Sequence, residues 1–108
     1  MVIIETTIFT KRVGKILNEE DYRKLQNILI DRPDAGKIIQ SSGGIRKLRW
    51  LGSSRGKRGG SRVIYYYLNS KSIIVMLLIY SKNETTDLTP RQLAVLKQIV
   101  KKEFKNER

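Results

Sequence analysis

Apolar residues recur along this chain at two spacings, one typical of helices and one typical of strands. Residues 2–5 form a short apolar segment that predicts a first strand. The next two segments carry apolar residues three or four positions apart, which predicts two consecutive helices. Their apolar positions are Ile8, Phe9, Val13, Ile16 and Leu17 in the first segment and Tyr22, Leu25, Ile28 and Leu29 in the second. Asn18 is a suitable N-cap for the second helix, and Pro33 should end it.

The middle of the chain has strand character. Residues 34–44 end in two serines and two glycines, which predicts an irregular connection. Apolar and charged residues then alternate over 45–51 and 61–68, as they do in strands that bury one face. A short turn at 69–71 leads to a strand at 72–80. Its nearly continuous apolar run predicts a central position with both faces covered.

The last segment predicts a helix over residues 90–104. Thr89 can cap this helix, Pro90 suits its first position, and Gln92 completes a capping box. The apolar stripe consists of Leu93, Leu96, Val100 and Phe104. The order of elements predicts one α+β domain over residues 1–108, with a small, twisted, mostly antiparallel sheet and helices against one of its faces.

Charge is distributed very unevenly. The 108 residues carry a formal net charge of +12, and between Asp34 and Glu84 there are ten Lys or Arg residues and no carboxylate. Such a block favours a negatively charged partner, which could be RNA, DNA, the ribosome or an acidic protein. Residues 52–60 add a glycine-rich cationic loop that we expect to be exposed. It is too short for a Walker loop, and Arg58 stands where that motif needs Ser or Thr.

Several kinds of chemistry lack their usual residues. The chain has no His and no Cys, so the preferred zinc ligands and the thiolate nucleophile are absent, and we expect neither a metal nor another cofactor. The longest apolar run, residues 73–80, falls far short of the ~20 residues that a membrane helix needs. The N-terminus reaches Glu5 before a signal-like apolar core can form. We therefore expect a soluble, cytoplasmic protein that does not bind a membrane.

Three segments of the basic region form a specific combined pattern. They are Gly-Ile-Arg-Lys-Leu-Arg at 44–49, a glycine- and tyrosine-rich segment at 57–66, and Tyr-Ser-Lys-Asn-Glu at 80–84, followed by Asp87 and Leu88. In order and spacing they resemble the RelE/HigB toxins of bacterial type II toxin–antitoxin systems, and most closely the HigB branch. The resemblance spans nearly the whole chain. It implies a RelE-like, microbial-RNase-like fold, cleavage of mRNA in the ribosomal A site, inhibition of translation, and neutralisation by a cognate antitoxin.

The resemblance also implies a set of catalytic residues. RNA can be cleaved by its own 2′-hydroxyl, so an enzyme must orient that attack, move two protons and stabilise charge on the phosphoryl oxygens, which suits cationic side chains. By resemblance, Lys47 and Arg49 lie on the basic active-site strand, and Arg62 opens the next strand as the phosphate clamp. Lys82 is a further basic residue, although Asn83 stands where some members have arginine. Without His, the general base has to be a Lys, a carboxylate or a Tyr, and Lys47 is the candidate.

Other residues are candidates for binding. The RNA-binding candidates are Arg46, Arg55, Lys57, Arg58 and Tyr66. Tyr80 could stack on a base or transfer a proton. Three tyrosines follow one another at 65–67, so neighbouring ones face opposite sides of their strand and at least one should line the open surface. Glu84 and Asp87 end the acid-free block, where carboxylates are commonly solvated or paired with arginine.

Two other functions are compatible with the same residues. A non-catalytic module could coat RNA or DNA through the basic strands, with affinity that depends strongly on salt. A catalytically degenerate toxin could keep its antitoxin and lose its activity, which the asparagine at position 83 leaves open.

Overall fold

The computed structural model describes residues 1–50, 60–82, 84 and 88–105, and the described chain forms a five-stranded sheet with three α-helices. The helices are α1 (Thr7–Ile16), α2 (Glu19–Asp31) and α3 (Pro90–Val100), the last continued by a π-helical turn, Lys101–Lys105. The strands are β1 (Val2–Glu5), β2 (Lys37–Ile38), β3 (Ile45–Trp50), β4 (Ser61–Leu68) and β5 (Ile73–Ser81), with a 3₁₀ turn, Asn69–Lys71, between the last two. The predicted α+β class is confirmed.

The strands lie in the order β1-β5-β4-β3-β2, with β1 parallel to β5 and the other pairs antiparallel. The β4–β5 pair contains a bulge. Ile64 lies opposite Leu78 while Tyr65 lies opposite Met76, so Leu77 is an extra residue on β5. Because side chains alternate from one face of a strand to the other, the extra residue exchanges the two faces of β5 beyond it.

Helix α1 is anchored to this bulge. The Thr6 hydroxyl accepts a hydrogen bond from the Phe9 N–H at 3.1 Å, which makes it the N-cap of α1. The same hydroxyl donates to the Leu77 carbonyl oxygen at 2.9 Å. One threonine therefore caps the helix and also gives the carbonyl oxygen of the extra strand residue a hydrogen-bond donor.

The two helix caps predicted from the sequence are confirmed. The Asn18 side chain accepts from the Asp21 N–H at 2.7 Å at the start of α2. At the start of α3, the Gln92 N–H donates to the Thr89 hydroxyl at 3.1 Å and the Thr89 N–H donates to the Gln92 side chain at 2.9 Å, which completes a capping box. Both helix starts are thus fixed by local sequence.

Two hydrophobic clusters cover the two faces of the sheet. We call the face under α1 and α2 the first face and the face under α3 the second face. Buried residues of the first face include Phe9, Val13, Leu25, Leu29, Val63, Tyr65, Ile74 and Met76. Those of the second face include Ile45, Ile64, Tyr66, Val75, Leu77, Tyr80, Leu96 and Val100. The predicted burial of both faces of β5 is confirmed.

The predicted arrangement of helices on one face is wrong. Helix α3 packs through Leu96 and Val100 on the second face, because β5 is apolar on both sides and α1 and α2 cover only one of them. In α2 the buried apolar residues are Leu25 and Leu29, four positions apart, while Ile28 is exposed rather than part of the stripe.

The connection between α2 and β3 is more regular than predicted. It contains the short strand β2, which pairs with β3. The Ser42 hydroxyl accepts from the Ile45 N–H at 3.0 Å, and Ser42 is buried. Residue 51, the loop 52–59 and the Phe104 side chain lie outside what the structure describes. Within the described ranges, none of the helices has the length and apolarity needed to cross a bilayer.

Candidate functional site

Two pairs of like charges lie side by side on the second face of the sheet. Lys37 of β2 is directly opposite Lys47 of β3, and Arg49 of β3 is directly opposite Arg62 of β4. All four share the face of Ile64, because Ile64 is itself the partner of Lys47 across β3 and β4. Like charges at directly opposed positions destabilise a sheet. These cations are therefore not placed there to stabilise the fold.

The four cations line a hollow of about 380 Å³, together with Ala35 and Leu48. Arg49 and Lys37 are exposed, and Lys47 and Arg62 are half-buried. Among its described lining residues there is no carboxylate to neutralise the cations. Successive positions along β3 on one face are roughly 6.6 Å apart, since a strand rises about 3.3 Å per residue. The arrangement suits a flexible polyanion that presents one phosphate after another.

Tyr65 fixes the segment that leads into Lys37. Its hydroxyl donates to the Pro33 carbonyl oxygen and accepts from the Gly36 N–H, both at 2.8 Å. A Cβ added to Gly36 would lie 2.8 Å from Tyr65 Cε1, so only glycine allows this close approach. Burial raises the pKa of the Tyr65 phenol, which keeps it protonated as the donor to Pro33. Tyr65 thus holds one edge of the hollow from the first face.

Arg46 is not part of the basic hollow. It is the partner of Ile38 and Tyr65, which places it on the first face, and its guanidinium donates to the Gly36 carbonyl oxygen at 2.8 Å and to that of Asp34 at 3.3 Å. Alternation along β3 sends Arg46 to the side opposite Lys47, where it holds the segment before β2. The RNA contact predicted for Arg46 stays a prediction, on the other face from the basic hollow.

Lys82 follows the end of β5, close to the start of β4. Its N–H donates to the Gly60 carbonyl oxygen at 3.2 Å, two positions before Arg62. The turn that carries it is closed by Glu84, whose N–H donates to the Ser81 carbonyl oxygen at 3.0 Å and whose carboxylate accepts from the Ser81 N–H at 3.0 Å. The structure therefore brings Lys82 near the end of the basic cluster, although it does not line the hollow described above.

Glu84 is also paired with Arg12 of α1. The Arg12 guanidinium forms an ion pair with the Glu84 carboxylate and donates from Nε to the Ile79 carbonyl oxygen at 2.8 Å. The hydrogen bond from the Ser81 N–H, followed by that from Arg12, lowers the pKa of Glu84 from its usual 4.5. Of the two states expected for this carboxylate, solvated or paired with an arginine, the structure shows the pair, and Asp87 lies outside the described residues.

The tyrosines predicted to contact RNA have little exposed surface. Tyr80 lies opposite Arg62 on the second face, but it is 2% exposed and packs in the hydrophobic cluster. Tyr66 is 8% exposed in the same cluster, and burial raises its phenol pKa. Tyr67 is half-exposed on the first face and donates to Asn69 at 2.9 Å. The basic hollow therefore has no tyrosine among its described lining residues.

The remaining candidates cannot be placed. Arg55, Lys57 and Arg58 of the glycine-rich loop, and Asn83, lie outside the described residues. Lys37 is the one member of the basic pairs that sequence reasoning missed. The sequence around it, Lys-Ile-Ile at 37–39, is too short an apolar run to predict a strand inside a connection that otherwise looked irregular.

Two solved structures share this fold. One chain of the crystal structure of the intact Escherichia coli RelBE toxin–antitoxin complex matches with a TM-score of 0.57 and 15% sequence identity, covering 74% of this chain and 94% of that chain. A double arginine-to-alanine mutant of the E. coli toxin RelE in the free state matches with a TM-score of 0.59 and 14% identity, covering 95% of this chain and 97% of that chain. No protein-family model matches the chain. At these identities the similarity establishes a RelE-like fold, as predicted.

Proposed function

We propose that this protein is the toxin of a type II toxin–antitoxin pair and acts as a ribosome-dependent mRNA endonuclease that inhibits translation. The observation that carries the proposal is the pair of like-charged contacts, Lys37 with Lys47 and Arg49 with Arg62, around one hollow of a RelE-like sheet. Such contacts lower the stability of the free protein, and a polyanion bound beside them would reduce the repulsion between the cations. Within the RelE-like proteins, the resemblance carried by the segments at 44–49, 57–66 and 80–84 with Asp87 and Leu88 is to the HigB branch, which we propose for this chain.

The proposed reaction uses the RNA itself as nucleophile. The ribose 2′-oxygen forms a bond to the adjacent phosphorus while the bond from phosphorus to the 5′-oxygen breaks, which gives a 2′,3′-cyclic phosphate and a 5′-hydroxyl. One proton leaves the 2′-hydroxyl and one reaches the departing 5′-oxygen. We assign Lys47 to removal of the first proton, and Arg62 with Arg49 to the charge that builds up on the phosphoryl oxygens. No step in this scheme needs a metal or another cofactor.

Lys82 and Tyr80 lie beside this set. Lys82 lies on the turn next to Gly60 and is, within the described residues, a further cation that could reach a phosphate bound near Arg62. Tyr80 is adjacent to Arg62 but buried, so proton transfer by its hydroxyl would require the second-face cluster to open.

The partners follow from the same surface. The ribosome would present mRNA in its A site as an extended single strand, and the basic hollow would bind the backbone of that strand. The intact E. coli complex contains a toxin and an antitoxin. By analogy, we propose a cognate antitoxin that covers the basic face with acidic or apolar segments.

The test is primer extension on mRNA incubated with the purified protein in a translation system, with and without ribosomes. We expect the wild type to cut only when ribosomes are present and Arg62→Ala to cut about 10²–10³-fold more slowly, because it loses one transition-state donor. Arg23→Ala is the matched control, since it removes the same charge from an exposed position on α2, over the first face. Equal cleavage by Arg62→Ala and wild type would contradict the role given to Arg62.

The same experiment separates the rival function. A non-catalytic RNA- or DNA-binding module would leave mRNA uncut at every protein concentration, while its affinity for single strands would fall steeply with salt. A degenerate toxin would also leave mRNA uncut but would still bind its antitoxin.

A further inference from the structure

A second hollow adjoins the basic one, between the start of α3 and β2. Its volume is about 440 Å³. Its lining residues are Lys37, Ile38, Ile39, Gln40, Lys47, Leu88, Thr89, Pro90 and Leu93. Lys37 and Lys47 line both hollows, so the two hollows are adjacent at this like-charged pair.

The walls of this second hollow are held in place from both sides. On the helix side, the Thr89–Gln92 capping box and Pro90 fix the first turn of α3. On the sheet side, the Ile39 N–H donates to the Ile45 carbonyl oxygen at 2.8 Å and the Ser42 N–H donates to that of Ile39 at 3.2 Å. Hydrogen bonds within both elements therefore fix the walls of the hollow.

Gln40 lies in the turn that these hydrogen bonds close. It is exposed, and its carboxamide forms no hydrogen bond within the part of the chain that the structure describes. The Thr89 hydroxyl, in contrast, is already engaged by the capping box. A carboxamide offers one donor and one acceptor side by side, which matches the edge of a nucleobase.

We propose that the second hollow binds one unstacked nucleobase, and that Gln40 reads its edge while the adjoining phosphate lies on Lys37 and Lys47. The proposal rests on the proposed function, because it takes the RNA strand to follow the basic hollow. Apolar walls of Ile39, Pro90 and Leu93 suit the faces of a base splayed out of a single strand. The two lysines at the shared rim suit its phosphate.

Charge and composition favour this occupant over a peptide. The hollow has apolar walls, two cations on one side and no carboxylate among its described lining residues. A nucleotide has an apolar ring face, a hydrogen-bonding edge and a phosphate at matching positions. A protein segment that docks in the same hollow is the alternative, and the test below separates the two.

The test maps cleavage sites by primer extension on several mRNAs in a translation system. We expect the wild type to prefer certain bases at one position relative to the cut, and Gln40→Ala to weaken that preference about tenfold. Lys37→Gln should slow cleavage at all sites alike, because a phosphate contact carries no sequence information. Gln98→Ala removes an exposed carboxamide from α3 outside the hollow and should match the wild type.

Four results would overturn the inference. If the wild type cuts every site alike, or if Gln40→Ala keeps the wild-type preference, the proposed function stands and the base site does not. If Gln40→Ala changes only neutralisation by the antitoxin, the hollow binds protein instead. Absence of cleavage by the wild type would overturn the proposed function, and this inference would fall with it. Thermal unfolding of each variant verifies that it is folded.

Discussion

Single side chains on the first face of the sheet fix the position of a cation on its second face. Tyr65 is buried on the first face, yet its hydroxyl bonds Pro33 and Gly36, the residues that lead into Lys37. Arg46 reaches the same segment from the neighbouring strand. The position of a cation that faces the hollow is therefore set by side chains on the opposite face of the sheet.

At this scale we predict that Tyr65→Phe lowers the free energy of unfolding by about 1–3 kcal/mol, because it leaves two polar groups of the Pro33–Gly36 segment without their partner. Tyr67→Phe is the matched control, since its hydroxyl bonds only Asn69 at an exposed position, and it should cost less than about 0.5 kcal/mol. Urea unfolding measures both. A cost for Tyr65→Phe as small as that for Tyr67→Phe would show that Tyr65 does not hold this segment.

At the scale of elements, the features that depend on neighbouring residues in the sequence were predicted correctly. The features that depend on contacts between distant segments were not. The caps at Asn18 and Thr89 and all of β4 follow from residues adjacent in sequence, and they were predicted correctly. The short strand β2 could not be predicted, because two residues form a strand only where β3 supplies partners. The bulge at Leu77 could not be predicted from the sequence. Because β5 is apolar at nearly every position, its apolar and polar residues do not alternate, and a one-residue shift leaves no trace in the pattern.

The candidate site was predictable to a similar extent. Lys47, Arg49 and Arg62 were named from the sequence, and the register of β3 and β4 brings them together. Arg46 lies between them in sequence but on the other face, which the alternation of β3 could have indicated. Lys37 depends on β2 and could not be assigned without it.

The turn at the end of β5 is an element whose stability should depend on pH. The pKa of Glu84 is lowered in the folded protein, so its contribution is complete above its usual value of 4.5 and is lost as the pH falls through the lowered pKa. We predict that the wild type is more stable than Glu84→Gln at neutral pH and that the difference shrinks as the pH falls below about 4.5. Urea unfolding at a series of pH values measures it.

Glu20→Gln is the control for this prediction. Glu20 pairs with Lys24 within α2, where both side chains are exposed. Its substitution should leave the pH dependence of unfolding close to that of the wild type. A difference between wild type and Glu84→Gln that stays constant from neutral to acid pH would contradict the role of the Arg12–Glu84 pair.

At the scale of the whole molecule, the placement of charge matters more than its sum. The formal net charge is +12, and the sheet concentrates cations at directly opposed positions on one face. Opposed like charges repel each other, and a polyanion bound at this face would relieve that repulsion.

We predict that Arg49→Gln raises the free energy of unfolding by about 0.2–1 kcal/mol at low salt, because it removes the like-charged contact with Arg62. Arg23→Gln removes the same charge from the exposed surface of α2 and should stabilise the protein less. The difference between the two variants should disappear in about 0.5 M salt, which screens the repulsion. Equal stabilities of the two variants at low salt would show that the opposed arginines do not repel each other measurably.

The extra residue at Leu77 also determines which side chains of β5 can reach Arg62. Strict alternation along β5 would keep Met76, Leu78 and Tyr80 on one side of the strand. In the structure Met76 belongs to the first face and Tyr80 to the second. Without the bulge, Tyr80 would share the face of Met76 and would lie on the side of the sheet away from Arg62.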